Sequence, residues 1–299
     1  MNILLTGANG FLGKEIIRIL EEKSNIITLS RSNANYQLCL NKQVPVFNQY
    51  FDAVIHAAGK AHSVPKTEIE IRQFYEVNVN GTKNLLIALK KGGIPKQFVF
   101  ISSVSVYGKE FGNQINEESP LKAKDPYGLS KIRAEELVKD WCKENNVTCS
   151  ILRLPLLVGP NPPGNLRAMI NAIKKGYYFN IAKGKARKSM VVVEDVAEII
   201  MSILPIGGIY NLTDGLHPSL SELSLAFSKN ENKSNPMSLP LVVAKTLGIV
   251  GDLFGNKSPI NSLKVKKLTS DLTFDDNKAR AELNWKPQSV ITYIKKNKI

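Results

Sequence analysis

Short apolar runs alternate with longer segments of helical spacing through the first half of the chain. Asn2–Leu5 is an apolar run ending at Thr6-Gly7, and Phe11–Glu22 follows with Leu12, Ile16, Ile19 and Leu20 on one helical face. Ile26–Leu29 and Ala53–His56 are further short runs of strand type, and a long helical pattern extends from about Ile71 to Lys91. Gln97–Ile101 predicts a strand, Tyr127–Lys143 an amphipathic helix and Ser150–Leu154 another strand. Strands separated by helices in this rhythm predict a parallel sheet covered on both faces, a doubly wound α/β fold.

The rhythm changes at Pro155. Pro155, Pro160, Pro162, Pro163 and Gly164 crowd a short stretch, after which the pattern predicts helix Leu166–Lys175, strand Met190–Val193, helix Asp195–Leu204 and strand Gly208–Leu212. A Ser/Lys-rich tail region completes the chain, and no internal repeat is visible. These segments predict a smaller second lobe, interleaved with the first. Leu239–Phe254 is the most apolar late stretch. Pro240, Lys245, Gly248, Gly251 and Asp252 interrupt it, so it predicts a helix of that lobe rather than a membrane span, with an interfacial role as the lesser alternative.

Composition adds bounds. With 299 residues, 43 % hydrophobic and 22 % charged, the chain is an ordinary globular protein large enough for a substantial core. Cys39, Cys142 and Cys149 are odd in number and scattered, giving neither a disulfide framework nor metal-ligand spacing. Met1–Gly7 lacks the basic start of a secretory signal, and with the free cysteines this leads to the expectation of a cytoplasmic protein without a metal. The 40 Lys and Arg exceed the 26 Asp and Glu for a formal charge of +14. That excess fits a solvated surface first, attraction of an anionic small substrate second, and nucleic acid or lipid last. No aromatics of the base-stacking kind interleave the lysines, so no nucleic-acid partner is expected.

The first strand leads into Thr6-Gly7-Ala8-Asn9-Gly10-Phe11-Leu12-Gly13. Gly7 suits a tight turn, Gly10 lets backbone approach a pyrophosphate, and Gly13 lets the helix pack closely on the strand. Placed between a strand and a helix, this loop predicts dinucleotide binding. The second strand ends in Ser30-Arg31-Ser32, without the carboxylate that would accept from a ribose 2′-hydroxyl. Arg31 suits a 2′-phosphate, which favours NADP(H) and leaves NAD(H) open.

Tyr127 and Lys131 stand four apart, on one face of a helix. A neighbouring ammonium would lower the phenol pKa, and a tyrosine so tuned exchanges a proton with a carbinol oxygen. Ser103 follows a strand, where open α/β sheets bind ligands, and its hydroxyl suits an oxygen gaining charge.

Together these residues resemble the extended short-chain dehydrogenase/reductase family, in its nucleotide-sugar epimerase, reductase and dehydratase branch. The resemblance rests on Thr6–Gly13, the segment His56–His62 that contains Ala57-Ala58-Gly59, Asn78–Thr82, Ser102–Gly108, Tyr127–Lys131, Leu152-Arg153 through Gly159-Pro160, and Leu283–Pro287. It implies a Rossmann-type sheet over 1–154 with about 190–213, and a substrate lobe over about 155–189 and 214–299. It implies Tyr127 as general acid/base, Lys131 as its partner and holder of the nicotinamide ribose, and Ser103 as the hydroxyl polarising the carbonyl. Gly7, Asn9, Gly10, Phe11, Leu12, Gly13, Arg31, Ala57, Ala58, Gly59, Asn78 and Pro155 would line or support the cofactor. Ser103 and Ser105 would face the sugar; Asn165 with Arg187 or Lys188 would hold the nucleotide diphosphate of a UDP-sugar.

Members that dehydrate carry Asp-Glu where Val104-Ser105 stand, decarboxylases a Glu at Ser105, and a carbanion-forming epimerase a Cys there. Neither Val104 nor Ser105 does such proton chemistry. What remains is hydride chemistry at hexose C4. The pattern is most similar to polysaccharide-cluster enzymes that reduce UDP-4-keto-6-deoxy-N-acetylhexosamines with NADPH. A UDP-hexose 4-epimerase with tightly held NAD is the alternative. A non-catalytic NADP sensor would dispense with Tyr or Lys, and both are present. Relatives often dimerise through the catalytic helix, so a homodimer is compatible with the resemblance.

Overall fold

The computed structural model describes residues 1–61, 65–253, 258 and 260–299. His62, the end of the segment His56–His62, and Phe254, the end of the late apolar stretch, lie outside the described residues. The first half runs β1 (Asn2–Thr6), α1 (Phe11–Leu20), β2 (Asn25–Ser30), β3 (Tyr36–Gln37), β4 (Ala53–His56), α2 (Glu68–Tyr75), a π-helical turn (Glu76–Asn80), α3 (Gly81–Gly92) and β5 (Gln97–Ser103). A 3₁₀ turn (Val104–Tyr107), β6 (Gly112–Ile115), α4 (Pro126–Glu144) and β7 (Thr148–Leu154) follow. The remainder comprises β8 (Leu156–Val158), α5 (Gly164–Lys174), β9 (Asn180–Ile181), β10 (Met190–Val192), α6 (Val193–Ile203) and β11 (Gly208–Asn211). Then come α7 (Leu220–Asn230), β12 (Ser238–Leu239), α8 (Leu241–Asp252), α9 (Ser262–Thr269), β13 (Leu272–Phe274), α10 (Asn277–Leu283) and α11 (Val290–Lys296).

Seven parallel strands form one sheet in the order β11-β7-β5-β4-β1-β2-β3. β1 shows why both faces are covered. Ile3 and Leu5 point into a core with Leu12 and Ile16 of α1 and Val196 and Ile200 of α6. Leu4 points the other way, among Leu85 and Leu89 of α3 and Ala134 and Val138 of α4. Every residue from Ile3 to Thr6 is buried, which is why the strand reads as a continuous apolar run rather than an alternating one.

From β1 the strand order proceeds to β2 and β3 on one side and to β4, β5 and β7 on the other. The carboxyl ends of β1 and β4 therefore border a crevice, the usual ligand position in open α/β sheets. Beyond β7, β8 pairs with β10, and α5, α7 and α11 pack around that pair in a separate core. β11 joins the large sheet, whereas β10, expected to go with it, does not.

The helix expected as one piece over Ile71–Lys91 begins at Glu68, where Thr67 caps it by accepting from the Glu70 backbone N–H at 3.2 Å. It then passes through the π turn before resuming as α3. The tail is far more helical than its composition suggested. Ser219 and Glu222 form a reciprocal capping box on α7, and Asn261 and Ser289 cap α9 and α11.

Candidate active site

The glycine loop closes tightly on the crevice. A Cβ on Gly7, at φ +74°, would lie 2.6 Å from the Ala58 nitrogen, and one on Gly13 would lie 2.2 Å from the Gly7 carbonyl oxygen. These approaches press the loop after β1 against the segment after β4 and α1 onto the loop. Gly10 caps α1 without a side chain, so the first N–H groups of the helix have no side-chain acceptor from the cap. That cradle suits a pyrophosphate. Asn9, Gly10 and Phe11 line a cavity of about 410 Å³ together with Lys14, Pro160 and Arg167. Leu12 is buried in the core, so only its backbone is available to a ligand.

Arg31 stands exposed at the end of β2, and among the described residues its guanidinium has no carboxylate partner. Asn9 is tied to this rim, its side-chain amide donating to the Ser32 carbonyl and its backbone N–H to Ser30 Oγ at 3.4 Å. The residues present therefore fit a dinucleotide.

A polar chain that the sequence did not announce runs beneath the crevice. The Thr82 hydroxyl donates to the Asn78 carbonyl at 2.6 Å, so it can only accept from His56 Nε2 at 2.9 Å. Nδ1 of the neutral ring then accepts from the Thr6 hydroxyl at 2.6 Å, and Thr6 accepts from the Ala58 N–H at 3.2 Å. Burial, with help from the Lys131 charge, pushes His56 down to about 3, which keeps this direction fixed.

Asn78, in the π turn, is wholly engaged. Its Oδ1 accepts from the Lys60 N–H at 2.7 Å, and its Nδ2 donates to the Lys60 carbonyl at 3.1 Å and to Ser130 Oγ at 2.8 Å. Ser130 in turn donates to the Tyr127 carbonyl at 2.7 Å. Asn78 thus joins the Ala57–Lys60 segment to α4. Ala57 and Ala58 are half-buried there, Gly59 is exposed, and Pro155 lies half-buried just after β7.

α4 carries Tyr127 and Lys131, the pair expected to do the chemistry. Asp125 accepts from the Gly128 N–H at 2.9 Å and Pro126 occupies the first turn, fixing where the helix starts. Gly128 brings the helix close to the 3₁₀ turn: a Cβ there would lie 2.8 Å from the Ser105 carbonyl oxygen. Ser103 Oγ donates to Ser105 Oγ at 3.1 Å and accepts from the Ser105 N–H at 3.2 Å, so the two hydroxyls form one polar corner at the end of β5. Tyr127 lies in reach of Ser103, whose hydrogen bond favours the phenolate, and packs against Phe74 with ring centroids 6.0 Å apart.

The tyrosine pKa departs from expectation. Burial pushes it up, Ser103 opposes the rise and the Asp125 charge adds to it. The Lys131 ammonium, which the spacing placed beside the phenol, donates to the Ile101 carbonyl at 2.7 Å and sits 4.7 Å from the centre of the Phe100 ring. Lys131 itself is brought down to about 8 by burial, with Glu135 one turn further along α4 opposing.

Glu135 anchors a second network missed in the sequence, although Tyr127, Lys131 and Glu135 follow one another at helical spacing. It receives Arg153 Nη2 at 2.8 Å and Nε at 3.1 Å, and the Ser102 hydroxyl. The side chains of Arg153 and Glu135 are 3 % and 0 % exposed. Arg153 Nη1 also donates to the Tyr107 hydroxyl at 3.1 Å, and Tyr107 donates to Asn211 Oδ1 at 2.8 Å. β5, β7, β11 and α4 are thereby tied together directly behind Ser103, Tyr127 and Lys131.

The expected diphosphate residues occupy varied settings. Asn165 is exposed in the first turn of α5. Arg187 is half exposed and donates to the His217 carbonyl at 3.0 Å. The Lys188 ammonium donates to the Lys267 and Ser270 carbonyls, each at 2.9 Å, which fastens the end of α9. Among the described residues no cluster of His, Cys, Asp and Glu could hold a metal.

Comparison with known proteins agrees with this fold. The chain is 28 % identical to the N-acetyl-α-D-glucosaminyl-diphospho-ditrans,octacis-undecaprenol 4-epimerase of Escherichia coli O157:H7, over 94 % of this chain and 89 % of that one. It is also 28 % identical to the GDP-6-deoxy-D-mannose reductase of Pseudomonas aeruginosa, over 74 % of this chain and 77 % of that one. The structure of RMD from Pseudomonas aeruginosa complexed with NADPH shares the fold with a TM-score of 0.75 at 21 % identity, covering 98 % of this chain and 96 % of that one. A family model matches residues 3–212, more than half of the chain, and with the glycine cradle and the Ser103, Tyr127 and Lys131 corner in place, the protein is an enzyme of the NAD dependent epimerase/dehydratase family.

Proposed function

We propose that the protein is an oxidoreductase acting at C4 of a UDP-linked hexose, and that its reaction is NADPH-dependent reduction of a 4-keto-6-deoxy-N-acetylhexosamine for surface polysaccharide. The observation that carries the reading is the catalytic corner. Ser103, Ser105, Tyr127 and Lys131 gather at the end of β5, with Val104 and Ser105 where dehydration would need carboxyl groups. When bound, the nicotinamide supplies the hydride.

The protein's own part is proton handling. A phenol held above its ordinary pKa is protonated at neutral pH, the form that can donate to a developing alkoxide. Ser103 steadies the same oxygen by hydrogen bonding. Lys131 supplies positive charge beside Gly59, where an added Cβ would come within 3.4 Å of its nitrogen, and so suits the ribose hydroxyls. The exposed, unpaired Arg31 favours a 2′-phosphate, hence NADPH. Asn165 and Arg187 are assigned to the diphosphate, with Lys188 holding α9 behind them.

A 4-epimerase that retains NAD is the second reading, favoured because the Escherichia coli relative, a 4-epimerase, matches more of the chain than the reductase does. Following NADPH absorbance with UDP-4-keto-6-deoxy-N-acetylglucosamine separates them. Stoichiometric loss of NADPH supports the reductase. Its absence, together with interconversion of UDP-hexoses without net cofactor turnover, would establish the epimerase.

A further inference from the structure

α8 is built inside out for a helix in water. Its small residues Ala244, Gly248 and Gly251 form the buried face, against which the chain entering α9 is pressed. A Cβ on Gly248 would lie 3.2 Å from the Ser262 nitrogen, and one on Gly251 would lie 1.8 Å from the Ile260 carbonyl oxygen. At about 100° per residue the opposite face carries Val242, Ile249 and Leu253, which are 76 %, 65 % and 83 % exposed. Val243, Leu247 and Val250 flank them, each at least 43 % exposed. A contiguous apolar face of this kind marks an interaction site.

Charge identifies what covers it. Between Asn232 and Ser270 the sequence holds Lys233, Lys245, Lys257, Lys264, Lys266 and Lys267 against one carboxylate, Asp252. Asp252 is engaged at the inner end of the helix, receiving the Ser262 N–H at 3.0 Å and the Ser262 hydroxyl at 2.6 Å. Lys245 is exposed on α8 itself, at the margin of the apolar face. Lys266 and Lys267 are exposed on α9, which packs against α8; Lys266 lies 4.8 Å from the centre of the Phe111 ring and Lys267 pairs with Glu110 at 3.2 Å. Large apolar side chains bordered by lysines complement an anionic lipid surface, where the side chains enter the interface and the ammonium groups meet phosphates. Among the described residues no helix is long and apolar enough to cross a membrane, so α8 would lie in the plane of the interface.

We propose that α8, with the lysines of α9, docks the enzyme reversibly on an anionic bilayer surface. Lys188 ties the end of α9 to the strand entering β10, so the docked face is one packed element away from the residues assigned to the diphosphate. The proposal holds for either reaction at C4.

Co-sedimentation of the full chain with phosphatidylglycerol-containing vesicles and with pure phosphatidylcholine vesicles tests it. The wild type should partition onto the anionic vesicles, and raised salt should weaken the binding. The Ile249→Asp/Leu253→Asp variant should lose about tenfold or more in partition, and Lys245→Glu/Lys266→Glu should lose selectivity for the anionic lipid. NADPH affinity, unchanged in both variants, verifies their folding. Equal partition of wild type and the Asp variant would overturn the proposal. So would a dimer, seen by light scattering, that the Asp variant dissociates while the wild type ignores vesicles; a second copy would then be the occupant.

Discussion

Replacing Glu135 by Gln removes one charge and almost no volume, from a place where charge cannot be screened. Arg153 and Glu135 are 3 % and 0 % exposed, joined by bonds of 2.8 and 3.1 Å. The amide would keep an oxygen for Ser102 or Arg153 but turn an NH₂ group toward a donor-only guanidinium. A buried cation left without its partner costs about 3–5 kcal/mol. With a urea dependence of about 3 kcal/mol per molar for a chain of this size, the unfolding midpoint should fall by about 1–1.7 M. Arg153→Met should be similarly damaging, because it leaves the carboxylate buried alone. The double variant Glu135→Gln/Arg153→Met should recover most of the loss, since two neutral groups carry no uncompensated charge. A single Glu135→Gln variant within about 1 kcal/mol of wild type, or a double variant as unstable as the sum of the singles, would refute the account of the network as an ion pair stitching α4 to the sheet.

Three further outcomes are expected. Tyr127→Phe should retain NADPH binding, measured by fluorescence titration, and lose about 10²-fold or more of turnover; full activity would remove Tyr127 from the chemistry. Arg31→Asp should weaken NADPH far more than NADH, and an equal loss of both would show that Arg31 does not read the 2′-phosphate. Lys131 titrates at about 8 in the fold and near about 10.4 when unfolded. Between those values the unfolded chain binds more protons, so wild-type stability should climb relative to Lys131→Met as pH rises through that window, by up to about 3 kcal/mol. Urea unfolding of both proteins across the window checks the sign, and a gap independent of pH would contradict it.

The parallel sheet was legible because its strands are buried on both faces and separated by helices of the usual length, so β1, β4 and β5 stand out as apolar runs. Ser103, Tyr127 and the glycine loop could be placed on the fold for a related reason: they sit at or next to the boundaries of elements, where residue type is dictated by geometry, and Lys131 follows from Tyr127 by helical spacing. The electrostatics was not. Spacing alone placed Lys131 beside Tyr127 and suggested a lowered phenol pKa, whereas burial of Tyr127, with the Asp125 charge, pushes it up. The His56 chain and the Arg153–Glu135 pair join residues 50 and 18 positions apart, a pairing that no local pattern encodes. Apart from α8, which its apolar run announced, the tail concealed its helices behind Ser and Lys, although Ser219 with Glu222 three residues on is a start signal visible in the sequence.

The π turn at Glu76–Asn80 amounts to one residue more than a regular helix would hold between Glu68 and Gly92. Its consequence is a matter of counting. Excising a single residue from the turn would let α2 and α3 fuse into one regular rod, a local gain in backbone regularity. Everything on one side of the cut would then rotate by about 100° relative to the other. Asn78 could no longer face both Lys60 and Ser130, and Thr82 could no longer meet His56 while Phe74 still met Tyr127. The segment is therefore intolerant of a change in length: what it stores is phase, and a one-residue deletion would erase that while improving the helix.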